Sequence, residues 1–296
     1  MKYKDIVKKH GKTIENIDLK EYTTYKVGGV AKLLVYPKNE KKLIELIKKL
    51  YENNIRFKIL GNGSNLIFSD DGFDGVLIKL DEFDNLEINK NTVKVGAGYN
   101  LMKLSLKAVK LGLAGLEFAA GIPGTVGGAV FMNAGCYGSD IGYVLKEAKI
   151  LTPDLKVVTM KNRELNFHYR TSFLKENEGY ICLGATFLLR KYNKDELLEI
   201  INDRKQRRIK EQPLEYPTAG SVFRNPKGMF SAKIIEDLGY KGMKVGGAEV
   251  SKKHANFIVN NGNATAKDIE KLINKIKKDV KNKHNIELKE EQEFVK

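Results

Sequence analysis

Apolar positions recur along this chain in two alternating patterns. Short apolar or alternating runs at 31–36, 55–60, 66–68, 76–80 and 92–95 predict strands. Between them, 39–54 places Leu43, Leu46, Ile47 and Leu50 on one helix face, with Lys41, Lys42, Lys48 and Lys49 elsewhere. Asn100 predicts the cap of a second helix over 100–110. Runs at 148–151 and 157–160 predict a hairpin across Pro153-Asp154, and 181–189 a further strand. A polar helix over 194–210 leads into a second region. That region holds a helix near 231–238, a strand at 256–260 and a helix after Thr265, where Ile269, Leu272, Ile273, Ile276 and Val280 repeat the stripe. No internal repeat or low-complexity tract interrupts the order. The elements predict an α+β chain of two domains, 1–195 in two lobes (1–80 and 81–195) and 196–296.

One segment breaks both patterns. Gly115, Gly121, Gly124, Gly127, Gly128, Gly135 and Gly138 crowd into 115–138, interleaved with apolar residues rather than serine or charge. Glycine costs chain entropy on folding and offers no side chain to pack. Its repeated use here predicts backbone brought very close to something. That is either a tightly turned core or a ligand such as a pyrophosphate, which donor-rich backbone holds well. A second turn, Gly-Asn-Gly-Ser-Asn at 61–65, follows the strand at 55–60. It reads as a hairpin turn or as a nest of amides for an anion. Two such segments suggest a long ligand with a diphosphate in its middle, such as a dinucleotide. The Rossmann fingerprint is missing, because Val-Gly-Ala-Gly-Tyr-Asn at 95–100 lacks the third glycine.

Composition narrows the classes. The 296 residues are 42% hydrophobic and 30% charged, which suits a globular protein with a sizeable core. No apolar run approaches the roughly 20 residues of a membrane helix, and the first ten residues carry no apolar signal core. A cytoplasmic location without membrane attachment is therefore expected. Cys136 and Cys182 form no disulfide framework, and the four histidines give no metal pattern. His168 and His254 read as structural, and no metal is expected. The net charge of +15 lies largely in lysines on amphipathic helices, which are usually solvated. No RNA-binding signature or aromatic-basic platform accompanies it, so nucleic acid is not the expected partner. A small anionic substrate would gain on-rate from the same field.

The motifs together resemble one family, the flavoenzyme UDP-N-acetylenolpyruvoylglucosamine reductases of bacterial cell-wall synthesis. The resemblance is carried by Thr-Thr-Tyr-Lys-Val-Gly-Gly at 23–29, the 61–65 turn, Gly-Ile-Pro-Gly-Thr-Val-Gly-Gly at 121–128 with Asn-Ala-Gly at 133–135, and Tyr-Arg-Thr-Ser-Phe at 169–173. It continues through 212–226 and 250–260 and spans nearly the whole chain. It implies an FAD-binding domain of the vanillyl-alcohol-oxidase/p-cresol-methylhydroxylase type, then a smaller α+β substrate domain whose C-terminal tail returns to the active site. The compact 169–174 stretch and the 212–217 run resemble the shorter subtype, which lacks an extra tyrosine-bearing loop.

The resemblance also implies a reaction and its residues. NADPH reduces FAD, here non-covalent because no His or Cys stands at an evident attachment position. UDP-N-acetylglucosamine enolpyruvate is then reduced to UDP-N-acetylmuramate. FAD contacts are implied for Gly61, Asn62, Gly63, Ser64, Asn65, Leu66, Gly121, Ile122, Pro123, Gly124, Thr125, Gly127, Gly128 and Ala129. Ser221 matches the proton donor, Arg170 the substrate-carboxylate arginine and Glu291 the C-terminal glutamate. Asn225 matches a substrate contact, Tyr169 is taken as a further one, and Arg224 and the basic run 204–210 are alternative neighbours for the substrate diphosphate. By local sequence alone, Ser221 reads as a turn cap and Arg170 as half of a surface ion pair with Glu176 or Glu178. The tail departs from the family, which usually follows the glutamate with Val-Arg; this chain has Gln-Glu-Phe-Val-Lys at 292–296, and Glu290 and Glu293 rival Glu291. A monomer is expected. Two alternatives stand beside this one: another oxidoreductase of the same FAD fold, and a basic polyanion-binding protein without turnover.

Overall fold

The apolar stripes become buried faces. In a computed structural model, which describes residues 2–296 and side chains from residue 4 onward, the stretch at 39–54 forms the helix Glu40–Glu52. Asn39 caps it by accepting from the Lys42 N–H at 3.0 Å, which satisfies an amide that the first turn leaves open. Leu43, Leu46, Ile47 and Leu50 are buried together. The stretch after Thr265 forms the helix Ala266–His284 behind a capping box of Thr265 and Asp268, and its predicted stripe is buried throughout. Lysines of both helices stay exposed and pair with acidic neighbours, Lys49 with Glu52 and Lys275 with Asp279. Exposed pairs of this kind contribute little to stability.

The chain folds as two compact units. The first comprises Met1–Glu15, Leu33–Gly61 and Gly75–Lys205, the second Asn16–Lys32, Asn62–Asp74 and Gln206–Lys296. The boundaries fall within the strands Gly11–Asp18, Val30–Pro37 and Phe73–Ile78, between Gly61 and Asn62, and within the helix Lys194–Glu211, so the sheet that contains those strands is not wholly of the first unit. Segments 16–32 and 62–74 share a unit with the C-terminal third because their apolar residues share its core. Tyr25, Val27 and Ile67 pack in one cluster with Val222, Phe223 and Ile269.

In the first unit, a five-stranded antiparallel sheet runs in the order Val157–Lys161, Leu145–Leu151, Ile181–Leu188, Thr92–Gly96, Leu86–Asn89. The predicted hairpin across Pro153-Asp154 forms its far edge. The helix Leu101–Lys110, capped by Asn100, buries Leu101, Leu104, Ala108 and Val109. A second sheet has the order Gly11–Asp18, Val30–Pro37, Phe73–Ile78, Phe57–Ile59. Its first strand escapes prediction because only Ile17 along it is buried, as suits an edge.

In the second unit, Lys244–Val245, Ala248–Val250 and Ile258–Asn260 form an antiparallel sheet near the helices Ser231–Asp237 and Ala266–His284. The tail strand Glu293–Val295 pairs in parallel with Leu66–Phe68. It too escapes prediction, since three residues flanked by charge carry no periodicity.

Asp70 reaches the start of the long helix from outside it. Its carboxylate accepts from the Ala266 and Lys267 N–H groups at 2.7 and 3.0 Å. An anion on the first free amides opposes no helix dipole and replaces water. Asp70→Ala should lower unfolding stability by about 1–2 kcal/mol, read as the midpoint shift in urea. An unchanged midpoint would mean that water replaces the carboxylate without loss.

Candidate active site

The glycine-rich segment divides by what its amides do. Thr125 caps the helix Val126–Met132 and accepts the Gly128 N–H at 3.3 Å. The Gly127 N–H goes to the Ala97 carbonyl at 2.8 Å, and a Cβ on Gly127 would lie 2.9 Å from the Ala97 Cβ. Glycine at 127 therefore serves close packing. The Ala129 N–H returns to the Thr125 carbonyl. Upstream, Gly121 closes the short turn Glu117–Gly121, the Ile122 N–H goes to the Ala119 carbonyl, and Pro123 has no N–H. The amides of Gly124 and Thr125 differ: they have no acceptor among the described residues.

The first glycine turn behaves alike. The Gly61, Asn62 and Gly63 amides have no acceptor among the described residues. Within the first unit, a Cβ on Gly61 would lie 3.0 Å from the Thr125 Oγ1, so the two glycine segments meet there with no side chain from Gly61. Lys79, nearly buried, donates from Nζ to the Gly61 carbonyl at 2.9 Å and fixes that peptide. Gly63 has φ +61°, and a Cβ there would lie 2.1 Å from the Tyr22 carbonyl oxygen. Asn65 donates from Nδ2 to the Glu291 carbonyl at 3.0 Å, and Leu66 begins the strand paired with the tail. Open amides on glycine-bearing turns suit an anion such as a diphosphate.

Tyr169 and Arg170 form the tip of a two-residue turn. His168 and Thr171 exchange main-chain bonds across it at 3.1 and 3.0 Å. Arg170 has φ +57°, a left-handed conformation that costs a non-glycine residue about 1–2 kcal/mol. Contacts on both sides hold it there. Its Nη2 donates to the Gly135 carbonyl at 2.7 Å, and its guanidinium lies 5.0 Å from the Tyr169 ring centre. Asn133, buried and left-handed at φ 44°, donates from Nδ2 to the His168 carbonyl at 2.8 Å and accepts the Gly142 N–H at 3.0 Å. The end of the glycine segment and the Arg170 turn are thus one assembly. Asn133 lies in the Asn-Ala-Gly motif at 133–135, and motif position alone does not reveal this role. An asparagine just past a helix is the signal that could have found it.

Ser221 lies in the second unit, in extended chain after Gly220 (φ +77°). The Val222 N–H goes to the Asn256 carbonyl at 2.9 Å, and the Val222 carbonyl accepts the Glu291 N–H at 2.8 Å. The Asn256 side chain takes the Phe223 N–H at 3.0 Å and donates to the Phe223 carbonyl at 2.8 Å. The Ser221 hydroxyl has no hydrogen-bond partner among the described residues, so it is not a turn cap. Arg224 donates its N–H to the Lys289 carbonyl at 2.9 Å, and its buried Nε has no partner among the described residues. Asn225 accepts the Ser231 N–H through Oδ1 at 3.0 Å. Glu290 pairs with Lys277 at 2.6 Å, Glu293 lies in the tail strand, and the main chains of both Glu290 and Glu291 lie beside the 222–223 segment.

The candidate residues thus fall into two groups. Gly61, 121–129, Tyr169 and Arg170 belong to the first unit; 62–66, Ser221, Arg224, Asn225 and Glu291 belong to the second. His254 packs edge-on against Phe257 at 4.8 Å, and burial lowers its pKa. Burial pushes the Cys182 thiol up to about 12, which makes it inert. No His, Cys, Asp and Glu group that could hold a metal occurs among the described residues.

Fold and site define a flavoprotein: residues 31–161 match an FAD binding domain, and 212–295 match the C-terminal domain of UDP-N-acetylenolpyruvoylglucosamine reductase. The chain is 44% identical over 274 residues to the reductase of that name from Clostridium botulinum (strain Alaska E43 / Type E3), covering 93% of this chain and 90% of the relative. It is 45% identical to that of Anoxybacillus flavithermus, over 96% of this chain and 95% of the relative. The crystal structure of the Thermus caldophilus enzyme is similar with a TM-score of 0.82 at 34% identity, covering 96% of this chain and 98% of that one. This chain belongs to the UDP-N-acetylenolpyruvoylglucosamine reductase family.

Asn133→Ala removes two buried hydrogen bonds and leaves a Cβ-bearing residue in a left-handed conformation. The expected loss is about 2–3 kcal/mol of stability. Chemical denaturation checks it, and a loss below about 0.5 kcal/mol, the level of an ordinary surface change, would mean that the assembly does not depend on Asn133.

Proposed function

We infer that this chain reduces UDP-N-acetylglucosamine enolpyruvate to UDP-N-acetylmuramate with NADPH through bound FAD, in peptidoglycan precursor synthesis. The reaction is C=C reduction of an enol ether: one hydride and one proton are added, and NADPH becomes NADP⁺. Family membership carries the activity, and one observation carries the assignment of roles. Ser221 is pinned by main-chain bonds next to it, while its hydroxyl has no partner among the described residues. A hydroxyl kept free on a rigid backbone is available to a substrate. We place the enzyme in the cytoplasm, as a monomer acting on a small molecule, with no nucleic-acid or membrane partner; no helix is long and apolar enough to cross a membrane among the described residues.

The chain's residues fit the cofactor. The open amides of Gly61, Gly124 and Thr125 in the first unit, and of Asn62 and Gly63 in the second, are donors of the kind a diphosphate takes. Bound FAD supplies the hydride, taken from NADPH, that the vinyl carbon needs. The protein supplies orientation and charge stabilisation. As hydride arrives, negative charge moves toward the substrate carboxylate. Arg170, a permanently charged fork already oriented by the Gly135 carbonyl and the Tyr169 ring, is proposed to hold that carboxylate. Ser221 is proposed to donate the proton to the neighbouring carbon. A serine hydroxyl is a weak acid, and only a strongly basic carbanion-like centre takes its proton. Glu291, whose main chain is bonded to Val222, is proposed as the second polar group at the reacting end. Tyr169, Arg224 and Asn225 are proposed to bind substrate, and residues 196–296 to form the substrate-binding part.

Ser221→Ala tests the reading. The fold and FAD content should be unchanged, because no internal bond of the hydroxyl is lost. NADPH should bleach the flavin at near the normal rate, since that half-reaction puts no proton on the substrate. Reoxidation by the enolpyruvyl substrate should slow by about a hundredfold or more, the lower end of what a positioned acid contributes. Anaerobic stopped-flow absorbance separates the two steps. Wild-type reoxidation in the alanine variant would assign the proton to another donor.

A further inference from the structure

We propose that Gln292 is a positioning residue that aims the Ser221 hydroxyl; the inference rests on the reading of Ser221 as proton donor. Gln292 is 4% exposed, so its carboxamide must be satisfied internally. Its Nε2 donates to the Gly220 carbonyl at 3.0 Å, and its Oε1 accepts from the Tyr25 hydroxyl at 3.2 Å. Chemistry fixes this orientation. A carbonyl only accepts, so the NH₂ must face Gly220, and the oxygen is left for the phenol. Tyr25 is fully buried, which holds its phenol protonated and donating, and its own carbonyl accepts from Asn260 Nδ2 at 3.0 Å. The anchor behind Gln292 is therefore itself anchored.

The consequence falls on Ser221. Gly220 sits at φ +77°, and a Cβ there would meet nothing within 4 Å. The hydrogen bond to its carbonyl restrains that peptide. The Gly220 carbonyl and the Ser221 nitrogen share one planar peptide. Holding the first fixes the second, and with it the direction in which the Ser221 side chain leaves the backbone. On the other side, the Glu291 N–H holds the Val222 carbonyl at 2.8 Å. Consecutive tail residues, 291 and 292, thus grip the chain before and after Ser221. The hydroxyl has no partner among the described residues to aim it, so backbone direction decides where its proton points.

The test uses the FAD-loaded enzyme. Gln292→Met keeps similar length and apolar volume and removes both bonds. Flavin reduction by NADPH should stay within about twofold of wild type, while reoxidation by the enolpyruvyl substrate slows about tenfold, as a modest misplacement of a reacting group does. The solvent isotope effect on reoxidation should rise, because proton donation becomes more limiting. In the resting protein, amide exchange in the 218–222 peptide should quicken. In a Ser221→Ala background, Gln292→Met should slow reoxidation by less than about twofold further, since an aiming residue has nothing left to aim. Tyr25→Phe, which keeps the ring and frees Oε1, should slow the same step by about two- to fivefold, a weaker form of the same misplacement. It decides the matter if the methionine variant does not fold. Wild-type reoxidation in Gln292→Met, or in Tyr25→Phe where that variant decides, overturns the proposal. So does an undiminished further loss in the Ser221→Ala background. Wild-type reoxidation in Ser221→Ala alone would instead overturn the reading beneath it.

Discussion

The main chain of the last eight residues holds the second unit's functional segments in register. Lys289 takes the Arg224 N–H, Glu291 gives its N–H to Val222, Glu293 gives its own to Asn65, and Val295 takes the Ser69 N–H. One short tail thereby binds both the strand after the first glycine turn and the segment carrying Ser221. Backbone bonds of this sort set position without committing side chains. The side chains of Ser221, Arg224 and Asn225 can then differ in task while their spacing stays fixed. The tail strand Glu293–Val295 pairs in parallel with Leu66–Phe68, which fixes its register to a single residue.

In the first unit the corresponding constraint is closeness of backbone. Glycine at 127 lets the short helix Val126–Met132 approach Ala97, and glycine at 61 leaves room beside Thr125. Packing closes one position and leaves amides open at the other. Asn133 then passes this arrangement to the Arg170 turn through two side-chain bonds. The left-handed Arg170 is the one strained residue among the proposed catalytic groups. Strain of this kind persists where surrounding contacts over-determine it, and it clusters at sites of function.

Much of this was legible beforehand, for physical reasons. Periodic apolar stripes gave the helices Glu40–Glu52 and Ala266–His284, because a 3.6-residue repeat leaves few other solutions. Glycine clusters marked the turns. Local sequence did not separate glycines that serve packing, such as Gly127, from those whose amides stay open, such as Gly61; that depends on what lies opposite. Edge strands such as Gly11–Asp18 and the tail strand were silent, since their pairing comes from partners distant in sequence. The joining of 16–32 and 62–74 to the C-terminal core was hidden for the same reason. Sequence favoured a cap role for Ser221, whereas its hydroxyl has no partner among the described residues.

The most direct measurement is a single-turnover balance under anaerobic conditions with the purified, FAD-loaded protein. One equivalent of NADPH should bleach the flavin, and one equivalent of UDP-N-acetylglucosamine enolpyruvate should restore its absorbance. Mass spectrometry should then find one equivalent of a product two mass units heavier than the substrate. In D₂O that product should carry a non-exchangeable deuterium on the carbon that takes the solvent-derived proton, with a second on the hydride-accepting carbon where the reduced flavin's N–H exchanges first. Flavin that stays bleached after the enol ether is added, or that recovers without product, would contradict the account.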